Sequence, residues 1–264
     1  MTDLTVADTA SDTAGAVLLE RRPGIGEAEW ETRVDLAACY RLIALHGWDD
    51  LIATHISARV PGTHDFLINR IGLTFEEITA SNLVRVDLDG TVTEGSDARI
   101  NPAGFTIHSA IHAGRGDVGC VIHCHTSDGV AVSAMEEGLL PLNQIAMLAC
   151  GNIAYHDYEG VAFNLAERER LQRDLGGAGL MMLRNHGTLT VGASVGEAYM
   201  RMYTLERACT IQVRTLAMGR PLRAADPGVI AHTGELGRDV ASYAASGWPA
   251  AVRRAARLSP GFDR

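Results

Sequence analysis

An α/β fold of layered helices and antiparallel strands is predicted by this sequence, on three observations. Helical and strand-like periodicities are mixed along the chain instead of segregating into halves. Asp89-Gly90 sits between two short apolar runs, a hairpin signal because both residue types tolerate the positive φ such a turn needs. Finally, 47% of the 264 residues are hydrophobic, enough to build a core without covalent staples.

The elements follow in order. Residues 1–25, rich in Ala, Thr, Asp and Gly, read as a disordered tail. Leu36, Tyr40 and Ile43 recur at helical spacing, predicting a helix from Trp30 to His46 that Gly47 stops. Strand-like runs come next at Leu51–Val60, Phe66–Asn69, Leu83–Leu88 and Thr91–Thr93. Asn101-Pro102 opens a helix to Ala113, with Pro suited to the first turn. Val118–His125 reads as a buried strand, Ser127–Glu137 as a helix and Ile153–Tyr155 as a strand. Leu165–Leu175 reads as a helix, and Leu180–Leu183 and Thr188–Val191 as strands about a turn at His186-Gly187. A long helix spans Val195 to Ala217. One main domain over 26–220 is therefore expected, with 221–264 as a C-terminal surface segment.

A net charge of -9 disfavours nucleic acid and anionic membranes as partners. Cys39, Cys120, Cys124, Cys150 and Cys209 form no CxxC pair and are odd in number. A reduced, cytoplasmic setting fits them. Asp3, Asp8 and Asp12 precede any apolar run, so no secretory signal is expected, and no apolar stretch is long enough to span a bilayer.

Chemistry concentrates in the histidines. On a strand, His123 and His125 point to one face, so both imidazoles can reach one ion. The bland alternative is two hydrogen-bonded histidines on a half-buried strand. His186, at a strand end before Gly187, is an adaptable ligand position or an ordinary turn residue. Three neutral imidazoles suit Zn²⁺, with Mn²⁺ or Co²⁺ as alternatives, and leave a coordination position open, as catalytic sites do. His108 and His112, four apart on a helix, are a rival pair that a polar helix face explains more simply.

Several separate segments resemble one family. Asn101 to His112, Cys120-Val121-Ile122-His123-Cys124-His125-Thr126, Tyr155-His156-Asp157-Tyr158-Glu159-Gly160 and Arg184-Asn185-His186-Gly187 resemble the class II aldolase/adducin pattern, in its adducin-like branch. The resemblance covers Trp30 to Gly219. It implies a three-layer α/β/α fold with a central, largely antiparallel sheet. It also implies a homotetramer with sites near subunit boundaries, and one divalent metal ion on His123, His125 and His186.

The departures are informative. The family's aldolases place a catalytic glutamate four residues before the position of His108, and here that residue is Gly104. Their phosphate-binding positions read His55, Ile71, Pro102 and Ala103, with only Gly72 surviving. Ile and Pro remove short donors and add bulk, so a phosphorylated sugar is not the expected substrate. Arg70, beside that region, would suit a carboxylate, though a strand-end Arg is often simply solvated. The expected substrate-facing set is thus His55, Arg70, Gly72, Gly104 and His108.

A tri-histidine metal without the glutamate still acts as a Lewis acid. Aldol addition needs a base that Gly104 cannot supply, whereas retro-aldol cleavage or decarboxylation needs only a proton donor. His156 is the first candidate donor and Tyr158 the second, with Asp157 beside them. The expected function is a metal-dependent carbon–carbon lyase acting on a small non-phosphorylated hydroxy, keto or aromatic acid. The competing expectation is a non-catalytic, adducin-like binding module.

Overall fold

The computed structural model describes residues 24–93 and 98–264. Apart from Gly24 and Ile25, the tail expected over 1–25 lies outside the described residues.

Seven strands form one sheet: β1 (His55–Arg59), β2 (Phe66–Ile68), β3 (Val84–Val86), β4 (Cys120–Cys124), β5 (Ile153–His156), β6 (Leu180–Leu183) and β7 (Gly187–Gly192). Their spatial order is β3-β2-β1-β4-β7-β6-β5. Every pairing is antiparallel except β5 with β6. That pair is joined through helix α5 (Glu167–Leu175), the crossover a parallel connection requires.

Helices cover both faces, as the three-layer expectation requires. On one side lie α1 (Glu27–Leu45), α6 (Val195–Ala217) and α8 (Val240–Leu258). Leu36, Tyr40 and Ile43 of α1 pack there with Ile56, Cys120, Ile122, Cys124, Tyr199 and Met202. On the other side, α2 (Pro102–Gly114) and α5 bury Ile107, Ile111, Leu171 and Leu175 against Val121, Met181, Leu189 and Val191. The strand period decides which residues meet which layer. Ile56 and Ile122 face α1, while His55, Ser57 and His123 face the α2 layer.

Helix starts follow local chemistry. Asn101 caps α2 by accepting from the backbone N–H groups of Ala103 and Gly104, ahead of Pro102 in the first turn. Ser194 caps α6 through the N–H of Glu197. The Asp89-Gly90 turn is present, with Gly90 at φ 91°, but beyond it only Val92 bridges back to Val86. The strand read over Thr91–Thr93 is therefore a single bridge.

Three other expectations shift. Residues 51–54 form a turn, not the start of β1, closed by the Ala53 N–H donating to the Asp50 carbonyl with Leu51 at φ 48°. The helix expected to Glu137 is α3 (Ser127–Ser133), which stops early. A helix absent from the sequence reading, α4 (Gln144–Cys150), is capped by Asn143 and packs on α6.

Residues beyond 220 include α7 (Pro227–Leu236) and α8. Helix α8 lies along α1 and α6. A Cβ on Gly196 would come within 2.7 Å of Trp248, so that glycine lets α6 and α8 approach closely. The five cysteines are all free thiols. No described helix is long and apolar enough to cross a membrane.

Candidate metal centre

His123 is the last residue but one of β4, and His125 follows just past the strand's end. Leu183 pairs with Gly187 where β6 turns into β7, which brings His186 to the same place. The turn needs Asn185 at φ 56°, a left-handed conformation that Asn tolerates. It also needs Gly187, whose Cβ would sit 2.4 Å from the Cys124 carbonyl oxygen. The three rings meet with centroids 4.6, 4.7 and 4.9 Å apart. One nitrogen from each lies within 4.8 Å of the others, a separation one ion can bridge. No other group of three or more such side chains occurs among the described residues.

The far sides of the rings are also held. His123 Nδ1 lies 3.0 Å from the Thr188 carbonyl oxygen, and His125 Nδ1 lies 3.1 Å from Asp50 Oδ2. Each acceptor keeps a proton on Nδ1 and turns Nε2 inward, the arrangement that orients metal-binding imidazoles. The two Nε2 atoms are 2.8 Å apart. Burial, then the neighbouring imidazoles, hold His123 well below the usual histidine range. Burial, His125 and His156 lower His186 to about 4. Neutral rings at pH 7 are the form that binds metal. Below them, the buried Glu206 of α6 accepts hydrogen bonds of 2.5 Å from both Thr126 and Thr188. It thereby ties together the segments that carry His125 and His186.

The substrate-facing residues divide. His55 is the register partner of His123, with ring centroids 5.2 Å apart. His108 meets it from α2, Nε2 to Nδ1 at 2.8 Å. Gly104 lies under the His55 ring, and a Cβ there would be 2.5 Å from its Cδ2. Arg70 is exposed just beyond β2. Continuing the Ser57–Ile68 pairing by two residues would place it level with His55. Gly72 takes φ 93° in the following turn. His108 and His112 do share one polar helix face, but it is buried against β1, where His55 and Ser57 meet it.

His156 is 4% exposed, its Nδ1 2.7 Å from Asp174 and its Nε2 3.4 Å from Glu167. Tyr158 is 52% exposed, its ring 6.2 Å from that of His186. Both line one small depression with Ile107, Leu183 and His186. The supporting residues Asp50, Ser57, Thr188 and Glu206 were not singled out from sequence. Each acts across 18 or more residues of chain, so no local pattern marks them.

A three-layer α/β/α protein with a tri-imidazole centre at one sheet end is the class that fold and site define. The chain belongs to the class II aldolase and adducin family, whose N-terminal domain model matches residues 34–213. A Caulobacter vibrioides protein, itself only provisionally named an aldolase class 2 protein, is 54% identical over 241 residues, covering 90% of this chain and 94% of that protein. Alpha-adducin of Rattus norvegicus is 47% identical over 203 residues, 74% of this chain but 28% of its own length. The solved structure of an aldolase II superfamily protein from Pseudomonas syringae matches with a TM-score of 0.85 at 49% identity, covering 91% of this chain and 98% of that one.

Proposed function

We propose that the protein is a metal-dependent lyase that breaks a carbon–carbon bond in a small non-phosphorylated hydroxy, keto or aromatic acid. The observation that carries the reading is the convergence of His123, His125 and His186, with Nδ1 of two of the rings already committed to Thr188 and Asp50. Such a donor set fits Zn²⁺, and Mn²⁺ or Co²⁺ are alternatives. A bound ion there supplies Lewis-acid stabilisation of the charge left when the bond breaks.

The chain's own residues do the rest. Arg70 offers a planar guanidinium to a carboxylate, and His55, Gly72, Gly104 and His108 shape the substrate side. Of the two candidate donors, the exposed Tyr158 is better placed to quench the carbanion. His156, set between Asp174 and Glu167, serves more naturally to hold the Tyr158 loop. A homotetramer in a reduced cytoplasmic setting belongs to the same reading.

Two measurements test it. Metal analysis of the purified protein should show one ion per chain, lost in His123→Ala and His186→Ala. Carboxylated aromatic and hydroxy-keto acids should then be screened for release of CO₂ or an aldehyde, with triose and pentulose phosphates inactive. With an active compound, Tyr158→Phe should lower the rate by about 10²–10⁴ with metal retained. Full metal in both histidine variants would sink the assignment. The identity with alpha-adducin favours a second reading, an assembly module without turnover. Partner capture by a metal-loaded protein inactive on every compound would favour it.

A further inference from the structure

Helices α4, α6, α7 and α8 enclose a second cleft, of about 340 Å³. That is within the range of small-ligand sites, roughly 300–1,000 Å³. It shares no lining residue with the triad or with the depression beside His186.

Glycines bring its walls together. A Cβ on Gly234 of α7 would lie 3.0 Å from Gly151 Cα, and one on Gly237 would lie 2.1 Å from the Leu148 carbonyl oxygen. Helix α7 and the turn after it are thus pressed onto the end of α4, and the chain then enters α8 along α6. The buried Leu180 and Ala149 floor the gap that remains, with Ile145, Leu148 and Val240 around them. Leu236 and Tyr243 line it while staying 59% and 54% exposed, so they mark its open side.

One charge interrupts this apolar lining. Arg201 of α6 is half-buried, its Nη1 donating to the Val191 carbonyl oxygen at 2.5 Å and its Nε buried without an acceptor. Gly179 leaves the space that the side chain fills, since a Cβ there would lie 2.7 Å from both Arg201 Nε and Asn152 Nδ2. No carboxylate pairs with Arg201 among the described residues. The two whose fields reach it are committed elsewhere, Glu197 to the Ala193 N–H and Asp117 to Arg115. Asp239, also on the lining, is occupied in capping α8 through Ser242. A guanidinium half-withdrawn from water without a counter-ion is costly, and a bound anion supplies what it lacks. With Nη1 taken and Nε sealed, only Nη2 is open, which suits a singly charged head better than a phosphate dianion.

We propose that this cleft binds a small amphipathic carboxylate, its apolar chain among Leu148, Leu180 and Leu236 and its carboxylate on Arg201. Arg201 also lines an adjoining depression with Asn152 and Arg238, which leaves the carboxylate a polar, open second side. The site stands whether or not the metal centre is catalytic.

Calorimetric titration of the zinc-loaded, full-length protein with octanoate and with 1-octanol tests it, since the two differ in the charged head. Octanoate should bind saturably and about 10- to 100-fold more tightly, the worth of a hydrogen bond to a charged group. Arg201→Gln should remove that preference, and Arg201→Lys should keep part of it. Leu236→Glu changes an exposed side chain and sets a like charge at the opening, so octanoate should weaken about tenfold or more. It decides the matter alone should Arg201→Gln fail to fold. His123→Ala, which removes a metal ligand, should leave octanoate binding unchanged. No saturable octanoate binding, equal affinity for octanol, or a preference that survives Arg201→Gln overturns the proposal. So does octanoate binding indifferent to Leu236→Glu, and so does its loss in His123→Ala, which would move the carboxylate to the metal.

Discussion

Thr188 joins Glu206 to His123: its hydroxyl donates to Glu206 Oε1 at 2.5 Å, and its carbonyl oxygen lies 3.0 Å from His123 Nδ1. One residue of β7 thus couples a buried carboxyl of α6 to an imidazole of the candidate metal centre. Thr126, the residue after His125, also donates to Glu206, so both segments are tied to a carboxyl that makes no hydrogen bond to the three imidazoles.

Burial pushes Glu206 up to about 7, outweighing the two threonine hydroxyls that favour its ionised form. A carboxyl raised in the fold makes stability highest below its unfolded value near 4.5 and lowers it as pH rises to about 7. The decrease should be about 3 kcal/mol. Urea unfolding of metal-free wild type and Glu206→Gln at pH 4.5, 6 and 8 isolates this slope. The wild type should lose that much relative to the variant, and a constant difference across the series would show that the carboxyl ionises at no cost to the fold.

Asp50 acts only through His125, so removing it should weaken metal binding while leaving all three imidazoles in place. In Asp50→Ala the affinity for zinc should fall about 10- to 100-fold, as measured by chelator competition. An unchanged affinity would mean that the Asp50 contact orients nothing.

Gly104→Ala would place a methyl group 2.5 Å from His55 Cδ2, and His55 is held by its bond to His108. Overpacking of this kind costs about 1–3 kcal/mol. Thermal unfolding should report that loss, with metal content unaltered because the triad lies on other segments. Unchanged stability would show that the His55 ring is free to swing aside.

His46 reports on the opposite side of the sheet. It stacks on Trp48 and meets Tyr199 and Arg254, joining α1 to α6 and α8. Burial, then Arg254 and Arg207, lower it to about 4. A histidine depressed in the fold contributes stability above its unfolded value near 6.5, lost as pH falls toward 4. His46→Phe should therefore show a shallower acid-side decline than wild type in denaturant midpoints between pH 7 and 4. Equal slopes would place the acid sensitivity elsewhere.

Local signals alone were enough for much of this protein. Mixed helical and strand-like signals marked the layered α/β class, and Leu180–Leu183 and Val195–Ala217 were readable because a short, wholly apolar run marks a buried strand and a 3.6-residue period marks a helix. His123 and His125 stood out because two residues apart on a strand means one face. The C-terminal helix α8 was hidden by Gly247 and Pro249, which argue against a helix locally but are tolerated where the helix packs on α1 and α6. Only tertiary structure could decide how His186 reaches the pair, since that depends on Asn185 turning left-handed and Gly187 clearing the Cys124 carbonyl. It alone joined Asp50 to His125, Glu206 to Thr126 and Thr188, and Ser57 to His108 and His112. Those contacts are set by strand register and layer packing, which bring together residues whose own neighbours in the chain carry no trace of the meeting.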